Sequence, residues 1–194
     1  MKLRTICILF VLVVMTTVSF ADNFDDALQA TNSGDYIKAY QLFLAEAEKG
    51  NAAAQRSLGL MCSEGLGVPQ NNKKAIDWYS MAAQQGDKRA QYYLGGMFEE
   101  GLGVPRDYKD AAKWYRLSAL QGHTKAQYKL GVMYLKGQGV LQSSESAYAW
   151  WSIAAANGNK DAQRYKKSAE EQMSSQQIEK AQQIAKQLWA EIWG

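Results

Sequence analysis

Two prolines, one histidine and two cysteines among 194 residues leave several kinds of protein without their materials. Proline so scarce beside 16 glycines predicts a mainly helical chain in which glycine makes the turns, because proline breaks helix interiors. An all-β fold is disfavoured on the same ground. One histidine and two cysteines exclude most histidine metal sites, zinc ribbons and disulfide frameworks. Charge of one sign is missing too: 22 Lys and Arg stand against 19 Asp and Glu, a net +3, which falls short of a nucleic-acid footprint. What remains, 47% apolar and 21% charged, is ordinary globular composition.

The first segment has the layout of a secretory signal. Lys2 and Arg4 precede the apolar run Ile6 to Met15, and Ser19 and Ala21 are small residues suited to cleavage before Asp22. The stretch from Ile6 to Phe20 is short of the roughly 20 residues of a membrane span, so an uncleaved anchor is the lesser reading. Residues 1–21 are thus expected to leave, taking Cys7 with them and leaving Cys62 as the one cysteine of an exported chain without membrane insertion. Periplasm or cell exterior is the expected location.

The rest is periodic. Three segments align without a gap at 36 residues, beginning GNAAAQRSLGLM at Gly50, GDKRAQYYLGGM at Gly86 and GHTKAQYKLGVM at Gly122, and a fourth glycine, Gly158, continues the spacing. A period of this length marks a stacked array. Asp35 to Gly50 matches Asp107 to Gly122 two periods on, so a half-repeat or cap is expected over 22–49, three repeats over 50–157, and a partial repeat with a capping helix over 158–194.

Each unit resolves into two helices. Ala90, Leu94, Met97 and Phe98 share one stripe of the first, which ends at G-x-G; Ala111, Trp114, Tyr115 and Ala119 share one stripe of the second, which ends at Gly122. Starts are marked by good N-caps: Asp, Asn, Asp and Ser at 35, 71, 107 and 143, and Asn, Asp and Asn at 51, 87 and 159. His123 occupies the same cap position, which outweighs a catalytic role for it.

The pattern AQ-x-x-LG-x-M-[CFY]-x-x-G-x-GV followed by A-x-x-W-[YW]-x-x-[AS]-A-x-x-G resembles the Sel-1-like repeat, a relative of the tetratricopeptide repeat with a longer internal loop. The resemblance implies an all-α fold, a right-handed α-solenoid serving as an adaptor for protein complexes, with no catalytic residues common to the family and no cofactor. It also implies that MSSQQIEKAQQIAKQLW is a terminal helix of the exported bacterial type. If the tetratricopeptide register transfers, with Leu58, Leu94 and Leu130 as core, the concave groove is lined by variable positions of the first helices. These are Arg56, Leu60 and Glu64; Arg89, Tyr92, Glu99 and Glu100; and Lys125, Tyr128, Val132, Leu135 and Lys136. Arginine and tyrosine with charges of both signs suit a polar protein segment better than nucleic acid.

Other motifs have plainer explanations. GLGVP at Gly65 and Gly101 and GQGV at Gly137 lack the strand-to-helix setting of a phosphate loop, and glycine there supplies positive φ and close backbone approach. Cys62 falls on the core stripe as an inert thiol; a disulfide to another chain is the minor alternative. The recurring pairs Trp78–Tyr79, Trp114–Tyr115 and Trp150–Trp151 read as packing, with at least one member of each in the core. S-x-x-K, K-T-G, G-x-S-x-G, H-E-x-x-H and C-x-x-C are absent, so no enzyme is expected, a cell-envelope hydrolase being the weakest reading. Ile178, Ala181, Ala185, Leu188 and Ile192 give the last helix an apolar stripe whose favoured role is capping; Trp189 and Trp193 would anchor a partner in the alternative. The sequence therefore predicts an exported, non-catalytic scaffold for an unidentified protein partner, compatible with a monomer, with a cell-wall glycan module as the second binding class.

Overall fold

The computed structural model describes residues 23–194, and among them finds ten helices and no strand. The signal segment 1–21 lies outside the described residues. The helices are α1 (Asn23–Asn32), α2 (Tyr36–Glu48), α3 (Ala52–Glu64), α4 (Asn72–Gln84), α5 (Lys88–Glu100), α6 (Tyr108–Leu120), α7 (Thr124–Lys136), α8 (Ser144–Ala156), α9 (Lys160–Glu170) and α10 (Ser175–Trp193). Contacts run from neighbour to neighbour: each second helix packs on the first helix of its own unit and on the first helix of the next. This is an α-solenoid, in which a unit buries its apolar stripe only by stacking.

The helix boundaries follow from side chains that satisfy otherwise unpaired backbone groups. Asp87 Oδ1 accepts from the Ala90 amide at 2.8 Å, Asn71 Oδ1 from Lys74 at 3.0 Å and Ser143 Oγ from Ser146 at 3.0 Å. His123 does the same through a ring nitrogen, Nδ1 accepting from the Ala126 amide at 3.3 Å. At the other end of α5, Gly101 takes φ +74° while its amide donates to the Met97 carbonyl at 2.9 Å. Two residues on, Gly103 also has positive φ, and a Cβ there would stand 2.7 Å from the Asn72 carbonyl carbon, so the loop lies directly against the start of the preceding unit's second helix. The G-x-G loops are therefore packing devices joining helix to helix.

The core repeats with the sequence. Leu58, Leu94 and Leu130 are buried, as are Tyr79, Tyr115 and Trp151 from the second helices. Gly59 and Gly95 give those rings room: a Cβ at Gly95 would come within 2.8 Å of the Tyr115 ring. The buried glutamine of the AQ pair in each of the three full repeats ties three helices together. Gln91 Nε2 donates to the Ala83 carbonyl at the end of α4 at 3.1 Å, and its Oε1 accepts from Gln121 Nε2, just past α6, at 2.8 Å. Gln55 and Gln127 repeat this with Ala47 and Gln85, and with Ala119 and Asn157. Cys62 is buried and free, on the core stripe as expected; burial raises its thiol pKa, opposed by a hydrogen bond with Tyr40 and by the Lys74 charge.

The ends differ from the middle. The segment expected as a half-repeat contains two helices, α1 and α2, joined by a connection shorter than the G-x-G loops, with Phe24 meeting Phe43 edge-on at 5.6 Å. At the other end α9 keeps Ala162 buried but places Lys166 and Lys167 where the inner units have Leu and Gly. α10 lies against α8 and reaches α6, burying Ala181 and Leu188. It caps the second-helix layer, and Trp150 is buried in a cluster that includes Leu188, Ile184 and Ile192, whereas the equivalent Trp78 and Trp114 are half-buried.

Candidate interaction face

The first helices α3, α5 and α7 turn their Ala, Leu and Met stripes inward and their variable positions outward, which places the candidate residues along one face. Their fates differ. Arg56 Nε donates to Asp87 Oδ2 at 3.1 Å, an ion pair between successive units, and Asp87 is at the same time the cap of α5. One unit on, Tyr92 stands in the Arg56 position and His123 in that of Asp87, with ring centroids 4.8 Å apart. One further, Tyr128 lies 5.8 Å from Tyr165 and leans with Val132 on the cluster between α8 and α9. These positions thus couple neighbouring units as well as facing outward.

Glu99 is similarly committed. Its Oε2 accepts from the Tyr115 hydroxyl at 2.6 Å and from Lys129 Nζ at 2.8 Å. Burial first, and then this hydrogen bond, hold the Tyr115 phenol protonated far above the ordinary tyrosine range. Glu100, beside it in sequence, is exposed, as are Glu64, Arg89, Lys125 and Lys136. Leu60 and Leu135 are partly exposed on the same face.

Two clefts open here. One, of about 340 Å³, lies over Gly96 between Tyr92, Tyr93 and Tyr115, with Glu64 and Glu100 on its rim. The other, of about 600 Å³, runs past Lys88, Arg89, His123 and Lys125. Tyr92 and Tyr93 line both, within a run of rings in which Tyr79 stacks on Tyr93 at 5.2 Å and Tyr92 meets Tyr115 at 5.6 Å. Burial, and then the charges of Lys88, Arg89 and Lys125, lower the His123 pKa to about 4 against the opposing effect of Asp87.

Tyr93, Gly96, Lys88 and Lys129 complete this face and were not among the residues singled out from the sequence. Gly96 carried a legible signal, since the other two units have Leu60 and Val132 at its position. The other three depend on how units stack. Among the described residues no group of three or more His, Cys, Asp or Glu is arranged to hold a metal ion, and no helix is long and apolar enough to cross a membrane.

A neighbour-stacked array of capped helix pairs with an outward-facing variable surface defines a helical-repeat scaffold. The Sel1 repeat model matches residues 52–87, 88–123 and 124–159, more than half of the chain, and the protein belongs to the Sel1 repeat family. The family's proteins are generally interaction scaffolds without catalytic activity. Among solved structures, a Sel1 repeat protein from Oxalobacter formigenes is 33% identical with a TM-score of 0.69, the match covering 72% of this chain and 57% of that one. The protective antigen c5321 of uropathogenic Escherichia coli strains, which displays an SLR fold, is 26% identical with a TM-score of 0.62, covering 88% of this chain and 45% of that one. The chain spans about half the length of these two relatives. No curated protein sequence matches it significantly.

Proposed function

We propose that the protein is an exported, non-catalytic adaptor that binds another protein through the concave face formed by its first helices. The observation that carries this is the pair of clefts meeting at Tyr92 and Tyr93, bordered by the exposed Glu64, Arg89, Glu100 and Lys125, which enter no ion pair among the described residues. Planar aromatic surface with flanking charge suits protein recognition, since tyrosine and arginine give large contact area at low conformational cost. Of the recurring aromatic pairs, Tyr79, Tyr115, Trp150 and Trp151 are buried in packing, which leaves the tyrosines of the first helices as the aromatic surface of this face. Export rests on the layout of residues 1–21, and N-terminal sequencing of the mature chain should begin at Asp22.

The direct test is a photo-crosslinker at position 89, on the face, against one at position 116, exposed on second helix α6. A protein adduct formed in the exported fraction from 89 and absent from 116 is expected. Equal adducts from both positions, or none from 89, would remove the face from consideration.

A further inference from the structure

The charges on this face are sorted by sign along α5. At its first turn Lys88 and Arg89 are exposed, with Lys125 from the next unit lining the same cleft. At its last turn Glu100 is exposed, with Glu64 from the preceding unit lining the other. Arg89, Lys125, Glu64 and Glu100 enter none of the ion pairs among the described residues. The other charges here are neutralised internally: Arg56 pairs with Asp87 beside the positive end, and Lys129 with Glu99 beside the negative one. A positive end and a negative end are therefore separated by a central stretch of tyrosine rings with no unpaired charge of its own.

The order runs against the helix dipole. Cations at a helix start and carboxylates at its end are each unfavourable to the isolated helix, so helix stability does not account for it. Low potential energy returns when an outside molecule supplies the opposite charges in the opposite order. Arg89 and Glu100 are eleven residues apart, about 16 Å along the axis at 1.5 Å per residue, the reach of about five residues of extended chain at 3.3 Å each. Resting on the adaptor reading above, we infer that the face across α5 holds an extended polypeptide segment with an acidic side chain over Arg89 and Lys125 and a basic one, about five residues away, over Glu64 and Glu100.

Gly96 makes the space for the basic end. Where the flanking units carry Leu60 and Val132, glycine opens the floor of the cleft between Tyr92, Tyr93 and the Tyr115 hydroxyl. Tyrosine faces and nearby carboxylates together favour a cationic head group. The Gly96 backbone does not require glycine: its φ is not positive, and a Cβ would meet only the Tyr115 hydroxyl at 3.5 Å, an ordinary contact.

The test is an NMR titration of the mature chain with four alanine-based peptides, carrying one aspartate and one lysine separated by four alanines, two aspartates, two lysines, or no charge. The mixed peptide should shift the Tyr92, Tyr93 and Gly96 amides and bind at least tenfold more tightly than the other three, an advantage that shrinks as salt rises. The variant Gly96→Leu should fold with an undiminished Tm, because leucine is the better helix former, yet lose most of that binding. The double variant Glu64→Lys with Glu100→Lys should move the preference to the two-aspartate peptide. Equal affinity for all four peptides, no shift at these amides, or full binding by Gly96→Leu overturns the inference. If the crosslink from position 89 forms while the peptides show no charge preference, the adaptor reading stands and this inference alone falls; if neither is seen, both fall.

Discussion

His123 caps α7 with a lone pair, so the cap functions only while the ring is neutral. Its pKa, lowered to about 4 by burial and by Lys88, Arg89 and Lys125, lies below the unfolded value of about 6.5. Between these two the folded chain binds fewer protons than the unfolded one. The contribution is complete above pH 6.5 and is lost as pH falls toward 4. Discounted for the half-exposed ring, the loss is about 1 kcal/mol. Asparagine caps α3 and α9 at the equivalent positions, so His123→Asn should retain the cap and flatten the fall in Tm between pH 7 and pH 4.5. At Glu99 the removal of an acceptor matters more than the loss of a charge. Glu99→Ala leaves the buried Tyr115 hydroxyl without its partner and Lys129 without its counter-ion, and should cost about 1–3 kcal/mol in denaturant unfolding. Glu99→Gln, which keeps an acceptor, should cost less.

At the scale of the helix pair, the repeat signature is a set of fitted contacts. Gln91→Ala breaks hydrogen bonds to α4 and to the end of α6 at once, leaving the Ala83 carbonyl to its backbone partner at Gly86, and the loss of two bonds should cost about 1–3 kcal/mol. Gly95→Ala must move the Tyr115 ring, which a Cβ would approach to 2.8 Å; overpacking of this kind costs about 1–3 kcal/mol and outweighs the gain of about 1 kcal/mol in helix propensity. Gly96→Ala, one residue along and meeting only the Tyr115 hydroxyl in an ordinary 3.5 Å contact, should stabilise. Chemical denaturation of these two single-methyl variants therefore measures the register of α5 directly. Much of this level was legible beforehand: the N-caps at 71, 87, 107 and 143 and the φ-positive glycines at 101 and 103 all fell where the spacing placed them, because caps and turns are decided by local backbone chemistry. The buried glutamine clamps were not legible as such, since AQ in a helix says nothing of the backbone carbonyl waiting at the end of one helix or of the side-chain amide donor just past another.

For the whole molecule, stacking makes stability a sum over neighbouring units, and the terminal faces set its limits. α9 meets solvent with lysines in place of core residues, while α10 covers α8. Truncation after residue 171 would uncover Trp150 and remove Leu188 from its cluster, with an expected loss on the order of 3 kcal/mol, since burying one large apolar side chain contributes about 1.5–3 kcal/mol. Hydrogen exchange should then speed up in α8 while α3 and α4 stay protected, which a uniformly cooperative globule would not show.

The face itself shows where sequence reading stopped. Arg56 and Glu99 look like free groove charges in a list of variable positions, yet each is taken up by a neighbour some thirty residues away. Lys129 and Tyr93 come into play through the same stacking. Local chemistry, repeated every 36 residues, determined the helices, their caps, their turns and the inward stripe, because each depends on residues within a turn or two of one another. Which charges are neutralised and which are left facing outward was decided only when the units came together, because an ion pair across a repeat boundary depends on distances that no linear spacing contains.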